Sequence, residues 1–442
     1  MKRRARSLSF VSDCVAIAIF ALVFAADALA SGLTGTTIYT FAGTPDGAGP
    51  DFPLFYAKDG NLYGTTTYGG QLGYGAVFEL SPPTVSGGPW TETILYSFTG
   101  GDDGSQPSSS VILGNGQLFG ETLYGGTANA GVVYKLTPPT APGGAWTETT
   151  LYSFCVAGNP CVDGEWPMGG LVFDKSGNIY GTAQTGGNAQ TACCGVVFEL
   201  FNPHGGVRST WQEKVIYNFL GNYSGQSDGS NPQAGVLFDS AGNLYGTTLG
   251  GGDYSACQGG GCGTVFELTS SAGVWTELPL YVFQGTGDGN GPSGRLVFDS
   301  SGNLYGTTSG ETVYNPGNVF RLSAPTGGIG PWTETVLYTF LGAPLDGSSP
   351  NGVVIFGRNV FGTTSQGGSG TCLGGCGTVF TVAAPKSGTV PWSETILWNF
   401  TDTAYYPEAA PTSGEGAVYS VASDDAGSGC QGVCGTVLEL SH

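Results

Sequence analysis

The sequence predicts an all-β protein, a closed seven-bladed β-propeller of four-stranded antiparallel blades. Three observations predict it: one phrase recurs seven times at a steady period, every period holds four short β-like runs, and the runs at the two chain ends complement each other.

The phrase is GNLYGTT at 60–66, 242–248 and 302–308, GQLFGET at 116–122, GNIYGTA at 177–183, RNVFGTT at 358–364 and GAVYSVA at 416–422. Its aromatic positions are Tyr63, Phe119, Tyr180, Tyr245, Tyr305, Phe361 and Tyr419, spaced 56, 61, 65, 60, 56 and 58 residues apart. Self-similarity at such a period marks a propeller, solenoid or array. In the fourth copy, Val236-Leu237-Phe238 leads through a tight turn into Leu244, a Gly-rich loop leads to GTVFEL at 263–268, and a last run covers 275–283. Four such runs separated by turn residues make one antiparallel blade.

Strand order then predicts closure. The run 36–41 (TTIYTF) matches the fourth run of a repeat, as at 91–98 and 147–154, whereas the chain ends on GTVLEL at 435–440, which matches a third run. The segment 35–41 therefore completes the blade formed by 401–440. An open solenoid would need capping units instead of complementary fragments. Trp90, Trp146, Trp211, Trp275, Trp332 and Trp392 open the fourth run in six blades, and at that regularity they read as packing groups.

Three phrases in fixed order, GNLYGTT, GTVFEL and WTETxLYSF, cover nearly all of the chain after its first thirty residues. On them the chain resembles the GloVer (choice-of-anchor) tandem repeats of exported bacterial proteins, a likeness that implies a propeller-like repeat architecture and no particular activity. It departs from that pattern by stopping at Ser441-His442 directly after a strand, so no anchor is expected. The DxxGNLY turn is more weakly similar to NHL-type and gluconolactonase-type propellers.

Residues 1–30 read as a signal peptide. Lys2, Arg3, Arg4 and Arg6 precede an apolar run at 15–26, and Ala28-Leu29-Ala30 offers small residues for cleavage near Ala30. Twelve apolar residues are too few to span a bilayer, which takes roughly 20. The expected product is one domain, 31–442, that is secreted, periplasmic or on the cell surface. Losing four of 13 basic and two of 33 acidic residues leaves 9 and 31, a net charge of −22. That balance excludes nucleic acid as a partner and disfavours anionic membranes.

Ten cysteines outside the leader fall into close pairs: Cys155 and Cys161, Cys193 and Cys194, Cys257 and Cys262, Cys372 and Cys376, Cys430 and Cys434. Local disulfides are favoured over zinc, because the two histidines, His204 and His442, lie away from these loops. The vicinal pair is the exceptional one, since the usual Cα separation in a disulfide is larger.

Six crossing loops carry Asp-Gly, at Asp46, Asp103, Asp163, Asp228, Asp288 and Asp346, while Thr403 stands at the seventh place. Carboxylates in Gly-rich loops can ligate calcium, the one cofactor considered, but Asp-Gly is also a good turn, and the turn reading is favoured. No Ser/His or Cys/His arrangement suggests a nucleophile. Among non-repeated residues, Glu121 replaces the Thr found at 65, and Glu165 and Trp166 interrupt one crossing loop. The chain is therefore expected to be a monomeric, non-enzymatic scaffold for an extracellular glycan, peptide or protein, bound on the loop face near the central channel. A hydrolase or lyase acting on a polysaccharide or lactone is the alternative.

Overall fold

The computed structural model describes residues 33–442 except 86, 142, 188–192, 204–209, 222–227, 311–315, 326, 328–329, 386–390, 402–405 and 424–433. The leader, His204, Thr403 and Cys430 lie outside the described residues. No α-helix occurs among the described residues.

Each period folds as one antiparallel sheet whose strands follow chain order from the central axis outward. The fourth blade shows the pattern: Leu237–Phe238, Leu244–Thr248, Thr264–Ser271 and Val274–Val282 pair in sequence. Second and third strands are buried on both faces, because each blade is covered by two neighbours. Leu244–Thr248 has no exposed residue. Outermost strands alternate, as in Thr91–Ser97, where every second residue near the start is solvent-exposed. β-branched and aromatic residues suit such pleated, covered surfaces.

The ring closes as the sequence predicts. Thr34–Thr40 pairs antiparallel with Thr436–Ser441, with Thr34 opposite Ser441 and Thr40 opposite Thr436, and so becomes the outer strand of the seventh blade. Packing across this junction repeats that of the others. Phe41 meets Phe78 edge-on at 5.0 Å between ring centroids, as Phe154 meets Phe198 at 5.1 Å and Phe283 meets Phe320 at 5.2 Å. The tryptophans also pack between blades: Trp90 against Tyr419, Trp211 against Phe119, Trp275 against Tyr180 and Trp332 against Tyr245.

A backbone seam runs through all seven junctions. One residue in each loop between the second and third strands (Tyr74, Ala130, Cys194, Cys262, Pro316, Cys376, Cys434) offers its carbonyl to an N–H of the next blade, at 2.7–3.2 Å. The following residue is always glycine, with φ between +88° and +125°. A Cβ there would strike the next blade's proline; on Gly263 it would stand 2.6 Å from Pro292 Cδ, besides overlapping the Thr248 carbonyl oxygen. Only glycine allows both that backbone conformation and that approach.

Candidate functional site

Because the four strands of each blade alternate in direction, loops joining strand two to three and loops crossing to the next blade open on one face. The disulfide loops, the Asp-Gly loops, Glu165 and Trp166 all belong to that face. Disulfides link Cys155 to Cys161, Cys193 to Cys194, Cys257 to Cys262 and Cys372 to Cys376. Cys434 is also disulfide-bonded. The vicinal pair closes at a Cα separation of 3.7 Å. Cys194, Cys262, Cys376 and Cys434 are themselves seam residues, so these bonds stiffen the places where one blade holds the next.

The Asp-Gly carboxylates act as ties between strand and loop. Oδ2 of Asp46, Asp103, Asp163, Asp288 and Asp346 accepts a hydrogen bond from the tyrosine two residues before the Phe that ends the preceding outer run: Tyr39, Tyr96, Tyr152, Tyr281 and Tyr338, at 2.8–3.2 Å. Tyr217 bonds Asp228 in the same way. A backbone N–H just past that Phe joins the tie, as Leu220 N donates to Asp228 at 2.7 Å and Leu341 N to Asp346 at 2.7 Å. The six aspartates stay at separate blade junctions. No group of three or more His, Cys, Asp or Glu among the described residues is placed to hold a metal.

Each aspartate also faces a glutamate on the next outer strand. Burial, then repulsion from Asp46, Asp288 and Asp346, pushes the carboxyls of Glu92, Glu334 and Glu394 up to about 7. Burial also raises Glu148 to about 7, partly offset by a hydrogen bond from Thr150, and Glu213 and Glu277 rise to about 8. The folded protein thus holds protons that an unfolded chain, with glutamates near 4.3, releases. Their contribution is complete below about pH 4.3 and is lost as pH rises through about 7 to 8. Melting temperature should therefore fall between about pH 5 and pH 8.5, and a flat or rising profile would contradict the protonated state. Calcium added at about pH 8.5 should leave the melting temperature unchanged, whereas an ion bridging these carboxylates would raise it.

The ring encloses a cavity of about 970 Å³ to which all seven blades contribute. Its wall is largely apolar side chain and backbone, including Leu54, Val111, Leu171 and Leu296, each just before an inner strand, and Val353. Asp51, Glu408 and Arg295 also line it. Tyr68 lines the cavity at the loop face, where burial and then the charges of Asp51, Tyr124 and Glu408 raise its hydroxyl. Tyr124 in turn meets Trp166 edge-on at 6.4 Å. Tyr68 and Tyr124 occur at this position only in the first two blades, so the aromatic group they form with Trp166 is one-sided, and of the three Tyr68 lines the cavity itself.

Trp166 stands at a repeated backbone position. It has φ of +60°, and Gln106, Asn231, Ser349 and Tyr406, each likewise followed by proline, have φ of 53–56°. The left-handed backbone is therefore architectural, and only the indole is particular to this blade. Glu165 pairs with Thr185 at the start of the same short strand.

Glu121 lies deeper than a loop-face residue. Its side chain is fully buried in the second blade, and Gly170 N of the third blade donates to Oε1 at 2.8 Å. Three other blades use Thr here to bond the neighbouring wall: Thr65 Oγ1 donates to Ser109 O at 2.8 Å, and Thr182 and Thr363 bond Ala234 O and Ala409 O in the same way. Burial pushes the Glu121 carboxyl up to about 8, opposed by the Gly170 bond, the nearby Ser109 hydroxyl and the charge of Arg295. Oε2 and Ser109 Oγ are both buried without a well-formed hydrogen bond.

Arg295 was not singled out by sequence reasoning. Counting from the inner-strand apolar residue, the preceding position is Pro53, Ser110, Gly170, Gly235, Gly352 or Ala410 in other blades. A lone long cation in that column was the available signal.

Fold and cavity together define a seven-bladed β-propeller with a ligand-sized axial channel. The chain matches the Gloeobacter/Verrucomicrobia repeat over residues 21–221 and 207–434, and it belongs to that family. No curated protein matches it. Among solved structures, a proposed 6-phosphogluconolactonase from Bacteroides uniformis is 14% identical, covers 78% of this chain and 84% of its own, and superposes with a TM-score of 0.47. A luciferin-regenerating enzyme is 12% identical, with coverage of 93% and 96% and a TM-score of 0.39. A protein of unknown function from Dyadobacter fermentans is 12% identical, with coverage of 92% and 99% and a TM-score of 0.43.

Proposed function

We propose that this chain is an exported, non-catalytic scaffold that receives a small ligand, or the end of a glycan or peptide chain, in its axial channel from the loop face. The observation that carries the reading is where the blades stop being alike. Residues the repeat does not require stand together: Tyr68 and Arg295 line the cavity, and Tyr124, near Tyr68, packs against Trp166, while the repeated residues are consumed by packing and seams. A rigid ring with covalently stiffened loops also lowers the ordering cost of a contact. The leader and the disulfides support export.

A hydrolase or lyase needs an acid that touches its substrate. Glu121 has the raised carboxyl such an acid would use, yet it is fully buried behind Gly170, which favours binding over catalysis.

Glycan and peptide arrays probed with protein beginning at residue 31, with mass spectrometry of the recovered probes, test the proposal. Bound probes should be unmodified. Binding should weaken at least tenfold in Tyr124→Ala and Trp166→Ala and persist in Asn243→Ala on the opposite face. Cleaved probes would point to the enzyme instead, and loss confined to Asn243→Ala would mean that the ligand uses the other face.

A further inference from the structure

The channel wall is built for close approach. Gly235 N donates to Gly169 O at 2.9 Å, and Gly294 and Gly352 meet backbone to backbone, so adjacent blades touch there with little side chain between them. Into this wall the fifth blade inserts one cation. Arg295 lines the cavity and is exposed to it.

A guanidinium carries five N–H donors in a planar fork and keeps its charge when enclosed. Among the described residues its hydrogen bond goes to Val236 O, from Nη2 at 3.3 Å. Glu121 is the carboxyl whose charge acts on it, but Glu121 is sealed behind Gly170 and mostly protonated at neutral pH. The cation thus has guanidinium donors to spare. A charge inside a cleft with low-dielectric walls focuses its field there and raises the local concentration of anions.

We propose that Arg295 makes the channel a receptor for the carboxylate of a small ligand, gripped by the guanidinium while the rest of the molecule leaves past the aromatic group. This inference rests on the channel reading above. The fork matches a carboxylate in two parallel hydrogen bonds. Asp51 and Glu408 line the same cavity, so a singly charged carboxylate enters against less repulsion than a doubly charged phosphate.

Calorimetric titration with D-galacturonate, its neutral parent D-galactose, N-acetylglycine and inorganic phosphate tests the proposal at neutral pH. One or both carboxylates should bind, at least tenfold more tightly than D-galactose or phosphate. Binding only of D-galacturonate would identify a sugar acid as the source of the carboxylate, and binding only of N-acetylglycine a peptide terminus. Arg295→Gly restores the residue found in three other blades and should fold; it should abolish the preference. Arg295→Lys keeps charge without the fork and should retain only part of it. Equal binding of D-galactose, preferential binding of phosphate, or carboxylate binding indifferent to Arg295→Gly would overturn the inference, as would failure of both carboxylates to bind. If array ligands still bind in a manner that depends on Tyr124 and Trp166 but not on Arg295, the channel reading survives and only the carboxylate assignment falls.

Discussion

Deleting residues 33–41 from the protein that starts at residue 31 should remove cooperative unfolding of the ring. The segment supplies the outer strand of the seventh blade, in register with Thr436–Ser441 across the longest sequence separation in the chain. It also carries Phe41, fully buried against Phe78 of the first blade. Loss of a buried phenylalanine alone costs about 3–5 kcal/mol. The deletion adds the loss of the strand pairing and of the two backbone hydrogen bonds that extend it, between Phe41 and the Cys434–Gly435 pair, each at 2.9 Å. It also leaves an unpaired strand edge, which invites association. Calorimetry should show a broadened transition at much lower temperature, and light scattering should show aggregation. Adding a synthetic peptide covering 33–43 should recover part of the transition. An unchanged melting profile would mean that the ring does not depend on this strand.

The second large effect is expected at the seam. Gly263→Ala should destabilise the protein by roughly 1–3 kcal/mol through backbone strain at φ +90°, and by roughly a further 1–3 kcal/mol because the new Cβ overlaps the Thr248 carbonyl oxygen and Pro292. Gly242→Ala separates the two contributions. Gly242 has φ of +94° and nothing within 4 Å of the point where a methyl group would stand, so it meets the strain without the collision. Urea denaturation of both variants should show the larger loss at Gly263, and equal losses would remove the seam from the account of how blades hold together.

Much of the architecture was legible because repetition exposes it. Seven copies of one phrase set the blade count, and the misplaced fourth run predicted both the closing strand and its partner. The tryptophans read correctly as packing groups for the same reason, since a residue repeated in six of seven blades serves the junction. Pairings within the repeat were less visible. Tyr180 Oη donates to Glu199 at 2.6 Å and Tyr245 Oη to Glu267 at 2.8 Å, whereas Phe119 stands opposite Lys135 and Phe361 opposite Thr381. The two phrases face each other across one ladder, a relation that becomes plain only once the register is known.

What the sequence by itself determined is the class of fold, the blade count, the order of strands and the local cysteine pairs, because each depends on period or on near neighbours along the chain. What only the tertiary structure decided is the environment of the exceptional residues. Glu121 is sealed by Gly170, 49 residues later; Arg295 opens into a cavity whose wall comes from all seven blades; and the Asp-Gly carboxylates are engaged by tyrosines of the preceding blade. Burial and electrostatics are set by whatever the ring brings near in space, and a linear pattern does not carry those distances.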